Sequence, residues 1–144
     1  MRIPLRRLDP DLPPPTAQHP GDAGYDLHAR EEVVLVASGG RALVPTGMAV
    51  AIPEGCAGLI QPRSGLALRH GVTVLNSPGL IDAGYRDELK VLLVNTDPTE
   101  DYTVRRGDRI AQLVIQRFEV IEWELVDHLG DTRRSTEGWG STGR

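Results

Sequence analysis

Val72-Thr73-Val74-Leu75-Asn76-Ser77-Pro78-Gly79-Leu80-Ile81-Asp82-Ala83-Gly84-Tyr85 leads from one aliphatic run into a turn and ends on an acid and an aromatic. A second run, Leu89-Lys90-Val91-Leu92-Leu93-Val94, follows at once. Both runs are rich in Val and Leu and short enough to be strands. Pro78-Gly79 fits a type II turn, in which Pro fixes φ at the second position and Gly supplies a positive φ at the third. The expectation is a tight hairpin that lifts Asp82 and Tyr85 out of a β-framework. An acid held there can activate water, and the ring can wall a pocket. The same residues also suit a purely local role, because Asp before a Gly-containing turn and Tyr beside a strand are common for hydrogen-bonding and packing reasons.

Working outward, the chain repeats this pattern of short apolar runs between turn residues. Strands are expected near 32–37, 41–45, 48–52, 56–61, 72–75, 89–95, 102–104, 110–117 and 122–125. The breaks fall at Ser38-Gly39-Gly40, Pro53-Glu54-Gly55, Asp97-Pro98 and Gly107-Asp108. Such spacing predicts an all-β barrel or sandwich. One short helix is expected at 66–70, with Ser64 as its N-cap and Gly71 closing it. Pro10, Pro13, Pro14, Pro15 and Pro20 keep the first twenty residues from being helical, so they are expected to run over the surface as an extended arm. The domain is expected to span 1–130. Residues 131–144, polar and rich in Gly, Ser and Thr, form a C-terminal arm too poor in apolar side chains to build a core.

Composition narrows the function. The chain has 144 residues, one domain's worth, and only 4% aromatics, so Val, Leu, Ile and Ala must fill the core. A net charge of −4 argues against nucleic acid as a general partner. No apolar run approaches the ~20 residues that span a bilayer, and Met1-Arg2-Ile3-Pro4 opens no signal peptide, so no membrane partner and a cytoplasmic location are expected. The single cysteine, Cys56, lies in an apolar run and reads as a small buried hydrophobe. Nearly all basic residues are Arg, and Lys90 is the sole lysine.

Four further segments could carry chemistry. Arg63-Ser64-Gly65 combines a guanidinium fork, a hydroxyl and the backbone N–H groups of a helix start, the parts of an anion site or of ordinary capping. Asp26, in Ala23-Gly24-Tyr25-Asp26-Leu27, could hold the water shell of a divalent cation or be a turn aspartate. Gln112 stands in the apolar run that follows Arg106-Gly107-Asp108-Arg109, so its amide needs a partner or a polar cavity. In the arm, Arg134, Trp139, Ser141 and Thr142 suit closure over a ligand, with the indole stacking on a flat ring and the others reaching phosphates.

Taken in order, the five segments resemble the five motifs of the trimeric dUTP pyrophosphatases (dUTPases): Ala23 to Leu27, Pro62 to Ala67, Asn76 to Lys90, Arg106 to Leu113, and Arg134 to Gly143. The resemblance covers nearly the whole chain. It implies a jelly-roll-like β-barrel of the β-clip type, a homotrimer whose sites are shared between subunits, and an arm that closes over a neighbour's site. It further implies Mg²⁺-assisted hydrolysis of dUTP to dUMP and pyrophosphate, limiting uracil in DNA and supplying dUMP for thymidylate synthesis. By that similarity Asp82 activates the water that attacks the α-phosphorus. Asn76, Leu80 and Ile81 on the hairpin read the uracil edge, and Tyr85 lies against the deoxyribose. Arg63, Ser64, Gly65, Gln112, Arg134, Ser141 and Thr142 hold the phosphates. Asp26 meets the metal through water, Trp139 stacks on uracil, and Lys90 joins the nucleotide site.

The chain departs from the family pattern at Ser135, Glu137 and Asp87, of which Ser135 and Asp87 stand where Gly is frequent. None of these changes removes a catalytic group. A dCTP deaminase of the same fold and a non-catalytic nucleotide-sensing trimer are the alternatives. Asp82 and Asn76 on the hairpin speak against the first, and the complete catalytic set against the second.

Overall fold

The computed structural model describes residues 1–130 and 132. The elements are β1 (Leu5–Arg7), β2 (Tyr25–His28), β3 (Val33–Leu35), β4 (Arg41–Pro45), β5 (Met48–Val50), β6 (Cys56–Gln61), α1 (Ser64–His70), β7 (Val72–Val74), β8 (Gly79–Ile81), β9 (Lys90–Asn95), β10 (Tyr102–Val104) and β11 (Arg109–Arg117). All strand pairs are antiparallel. They form a four-stranded sheet β2-β11-β6-β8, a three-stranded sheet β4-β9-β7, and the two ribbons β1-β5 and β10-β3. The all-β fold expected from the turn spacing is present and is consistent with the jelly-roll-like form that the resemblance implies, although the sheets do not close into one continuous barrel.

The core lies between these sheets and is aliphatic, as the scarcity of aromatics requires. Leu27, Leu35, Val44, Val72, Leu89, Val91, Leu93, Val104 and Ile110 are each at most 1% exposed. Burying a side chain of this size contributes about 1.5–3 kcal/mol. Cys56 is buried among them, as expected. One buried polar side chain ties the sheets together: Asn95 donates to the carbonyls of Leu35 (3.0 Å) and Glu100 (2.8 Å) and accepts from the Asp97 N–H (2.9 Å). With every polar atom engaged, Asn95 does not carry the desolvation cost of an orphaned amide.

Several details differ from the sequence reading. The 76–85 segment is not a simple hairpin. Its leading strand β7 pairs with β9, whereas β8 crosses to the other sheet and pairs with β6. The Ser77–Pro78 peptide is cis, and Gly79 lies outside the left-handed region, so the turn is not type II. Gly79 instead opens β8 opposite Ile60, where an added Cβ would come 3.3 Å from the Ile60 Cβ. The helix is capped at Arg63, and Ser64 is its first residue with no side-chain capping bond. At the other end Gly71 closes it as expected, at φ 62°, and a Cβ there would sit 2.8 Å from the Asp97 nitrogen.

The N-terminal arm is anchored, since β1 pairs with β5, Thr16 bridges to Asp26, and Leu12 is buried. Residues 122–125 are not a strand. They find no partner among the described residues, and Trp123 and Leu125 are 85% and 96% exposed.

Asp9 fastens that arm to the body. Arg106 grips its carboxylate with two N–H bonds, at 2.5 and 3.0 Å, and the Arg30 Nε lies 3.6 Å away. The Arg106 hydrogen bond is the main reason that the Asp9 pKa falls from 3.8 to about 2. A carboxylate depressed on folding stabilises the native state above its unfolded pKa, and that contribution is lost as pH falls through the folded value. Accordingly, the stability advantage of the wild type over Asp9→Asn should hold above pH 3.8 and vanish by about pH 2. Urea midpoints measured across that range check this.

Candidate active site

The central sheet gathers three of the five sequence segments at one of its ends. Strand β11 places Gln112 opposite Asp26 of β2 on one side and opposite Gln61 of β6 on the other. Just beyond Gln61 the chain reaches Pro62, Arg63 and the start of α1. The Gln112 amide donates to the Pro62 carbonyl at 3.2 Å, which answers the need for a partner raised by its apolar surroundings. Gly24 is packed against Gln112, and a Cβ at that position would come 2.3 Å from Gln112 Oε1. Only a glycine lets the amide lie there.

Asp26 is the electrostatic centre of this end. It is on a strand rather than in a turn, and it is 6% exposed. Its Oδ2 accepts from Gln18 Nε2 at 2.9 Å and Arg109 Nη1 at 3.1 Å, and its Oδ1 faces Arg63 Nε at 3.5 Å. Arg63 also donates through Nη1 to the Arg109 carbonyl at 2.7 Å. Two guanidiniums therefore converge on one carboxylate, leaving a net cation beside Ser64, Gly65 and Gln112. Such a surplus suits an anionic ligand. Burial, opposed by the Asp26 charge, lowers the pKa of His28, which pairs with Arg109 in the same sheet; the two neighbouring guanidiniums add to the effect.

Among the described residues no group of three or more His, Cys, Asp or Glu side chains could hold a metal ion. A carboxylate offers about four lone-pair directions, and at Asp26 three face Gln18, Arg109 and Arg63. One acceptor direction on Oδ1 is left. Flanked by two guanidiniums, that one direction suits a metal's bound water better than the ion itself.

Asn76, Leu80, Ile81, Asp82 and Tyr85 form a second cluster. Asn76 lies against Gly79, its Nδ2 3.5 Å from where a Gly79 Cβ would be. Leu80 and Asp82 line an apolar groove of about 310 Å³ with Ala57, Leu59, Gln116 and Phe118. Asp82 is exposed, and its carbonyl accepts the Tyr85 N–H at 3.0 Å. The Tyr85 hydroxyl donates to the Glu88 carbonyl at 2.8 Å, fixing the ring.

The second cluster runs along β8, from Asn76 and Gly79 beside the Ile60 end of β6 to Asp82 at the other end. Strand β8 runs antiparallel to β6, with Gly79 opposite Ile60 and Ile81 opposite Gly58. Asp82 thus emerges beside Ala57, while Arg63 lies beyond Gln61. At ~3.4 Å per extended residue, the six steps from Ala57 to Arg63 put roughly 20 Å between them. Lys90 joins neither cluster. It lies opposite Pro45, on a cleft lined by Asp9, Arg30, Glu88 and Arg106. Arg134, Trp139, Ser141 and Thr142 fall outside the described residues.

Sequence reasoning passed over Gln18, Arg109 and Glu88. Gln18 sits in a proline-rich arm whose docking on β2 no local pattern reveals. Arg109 was visible as one of several charges in a turn, and only its register with His28 shows which of them turns inward.

Comparison with known proteins relates the chain as a whole to one family. Residues 11–143 match the family model described as dUTPase. The deoxyuridine 5'-triphosphate nucleotidohydrolase of Thermobifida fusca (strain YX) is 59% identical over 143 residues, covering 99% of this chain and 79% of the relative. The protein of the same name from Corynebacterium glutamicum is 53% identical over 142 residues, covering 99% and 95%. Among solved structures, the Staphylococcus bacteriophage 80alpha dUTPase with dUPNHPP superposes with a TM-score of 0.90 at 29% identity, covering 99% of both chains. A dUTPase from phage phi11 of S. aureus, which coordinates a structural Mg(II) ion, gives 0.83 at 28% identity, covering 91% of this chain and 100% of that one.

The contact at Gly24 is open to a direct check. Gly24→Ala should push the flexible end of the Gln112 side chain aside and break its bond to the Pro62 carbonyl, costing about 0.5–1.5 kcal/mol of stability. Urea unfolding of the variant against the wild type measures this.

Proposed function

The chain belongs to the dUTPase family, and from that premise we propose that it hydrolyses dUTP to dUMP and pyrophosphate in sites assembled from more than one copy of itself. One observation carries the composite site: Asp82 and the Arg63–Asp26–Gln112 cluster leave opposite ends of β6. Water attack at the α-phosphorus needs the activating acid and the phosphate-holding groups around one triphosphate, with reacting atoms ~3–3.5 Å apart. Two groups roughly 20 Å apart on a rigid strand cannot serve the same phosphorus. A neighbouring copy supplies the missing half, and a cyclic homotrimer closes the arrangement without an unpaired end.

Within such a site the residues divide the work. Asp82 accepts the proton of the attacking water as it forms its bond to the α-phosphorus, and pyrophosphate leaves. Asn76 and the backbone of Leu80 and Ile81 pair with the uracil edge. A cytosine there would leave polar groups unpaired, a mismatch that can discriminate by ~10⁴–10⁵. Tyr85 lies against the deoxyribose and takes the space that a 2′-hydroxyl needs. Arg63, Ser64, Gly65 and Gln112 orient the phosphates and offset their charge. Mg²⁺ on the triphosphate, when bound, supplies further charge neutralisation, and the open acceptor direction of Asp26 is placed for its water shell. The 131–144 arm closes over a neighbour's site, with Trp139 on the base and Arg134, Ser141 and Thr142 on the phosphates. In the cell this reaction limits uracil in DNA and supplies dUMP for thymidylate synthesis.

Asp82→Asn should keep nucleotide binding and lower turnover of dUTP by about 10²–10⁴-fold, the range for a general base; near-normal turnover in a steady-state assay would overturn that role. Mixing tests the sharing. Asp82→Asn and Arg63→Ala chains, each inactive alone, should regain about a quarter of wild-type activity when unfolded and refolded together in equal amounts, because a quarter of randomly paired half-sites are intact. If each site were built within one chain, the mixture would stay inactive.

A further inference from the structure

We propose that Glu88 is a positioning residue for sugar discrimination, holding the Tyr85 ring in place by clamping its loop to the body of the fold. The inference rests on the dUTP reading above and extends it to a residue outside both clusters. Residues 82–88 bond mainly among themselves. The Tyr85 N–H donates to the Asp82 carbonyl and the Tyr85 hydroxyl to the Glu88 carbonyl, at 3.0 and 2.8 Å. Arg86 donates to the carbonyls of Ala83 and Tyr85, and the Glu88 N–H to the Asp87 carboxylate. Among the described residues, the only side chain of this loop that hydrogen-bonds or ion-pairs outside it is that of Glu88.

That side chain is 12% exposed, and its Oε1 accepts the Gly47 N–H at 2.7 Å. Arg30 Nη1 approaches its two oxygens at 3.4 and 3.5 Å. Gly47 is itself fixed, at φ +71° in the turn between β4 and β5, with a Cβ there 2.7 Å from that of Asp9. One residue on, Leu89 continues the anchorage, donating to the Met48 carbonyl at 2.7 Å and accepting from the Thr46 hydroxyl at 2.8 Å. The carbonyl that orients the Tyr85 hydroxyl is thus restrained from both sides: the Leu89 N–H of the same peptide plane is bonded to Met48, and the Glu88 Cα behind it is held by the carboxylate pinned to Gly47 and Arg30. Releasing the carboxylate removes one of these two restraints and slackens the ring that stands against the sugar. Glu88 touches no reacting atom, so its effect is on selection between sugars rather than on the chemical step.

The test compares kcat/KM for dUTP and UTP in the wild type, Glu88→Ala, Glu88→Gln and Tyr85→Phe. Glu88→Ala should lower the dUTP-to-UTP ratio at least tenfold, chiefly through better use of UTP. Glu88→Gln retains an oxygen to accept the Gly47 N–H and should restore most of the ratio. Tyr85→Phe should lower the ratio as Glu88→Ala does, and the double variant should be no worse than either alone. Glu88→Asp, shorter by one methylene, is the second variant should alanine prevent folding, and it should show the same loss in smaller degree. An unchanged ratio in Glu88→Ala or Glu88→Asp, whatever happens to the absolute rate, overturns the inference. Loss of the ratio in Tyr85→Phe alone would do so while leaving the dUTP reading intact. A wild-type protein that does not hydrolyse dUTP would instead remove the reading on which the inference stands.

Discussion

The stiffness of one extended strand governs how this molecule can work. β6 pairs with β11 along its whole length and with β8 along half of it. It therefore cannot bend to bring its ends together. At one end it delivers Arg63 to the buried Asp26; at the other it supports the emergence of Asp82. The hydrogen-bond ladder that makes the sheet stable is the same feature that keeps these groups apart. Stability within a chain and assembly between chains are linked through that ladder.

The charges at the Arg63 end obey a second constraint. A carboxylate as buried as Asp26 needs compensation, and two arginines and an amide provide it. Arg63 spends two of its donors on Asp26 and on the Arg109 carbonyl. Its fork is thereby preorganised, and its remaining N–H groups are aimed rather than free to swing. Gln112 is treated likewise by Pro62 and Gly24. These fixed orientations are costly to build in a flexible loop and natural at the end of a four-stranded sheet.

Much of this was legible in the residues. The turn residues between aliphatic runs revealed an all-β chain, and Gly71 marked the helix end because only a left-handed residue could close it. Gln112 announced itself as a polar side chain in an apolar run. What escaped was set by distant contacts. Pro78-Gly79 reads locally as a turn between adjacent strands, yet the pairing of Gly79 with Ile60 carries β8 to the other sheet. Ser64 reads as a cap, but the chain enters the helix at Arg63 in an extended conformation. The 122–125 run has strand composition and no neighbour to pair with among the described residues, so composition alone misleads there. Glu88 and Gln18 have no local signature at all, since each acts on a segment far from it in sequence.

The near-exclusive use of arginine has a practical corollary. Lys90, the chain's sole lysine, is exposed on the cleft formed by Asp9, Arg30, Glu88 and Arg106. Guanidinium groups stay protonated and do not react with amine-directed acylating reagents, whereas an ε-amine does once deprotonated. Such reagents have two targets on this polypeptide, the α-amino terminus and Lys90. A fluorophore or crosslinker attached at the second reports on the cleft beside the Glu88 anchor without any engineered handle.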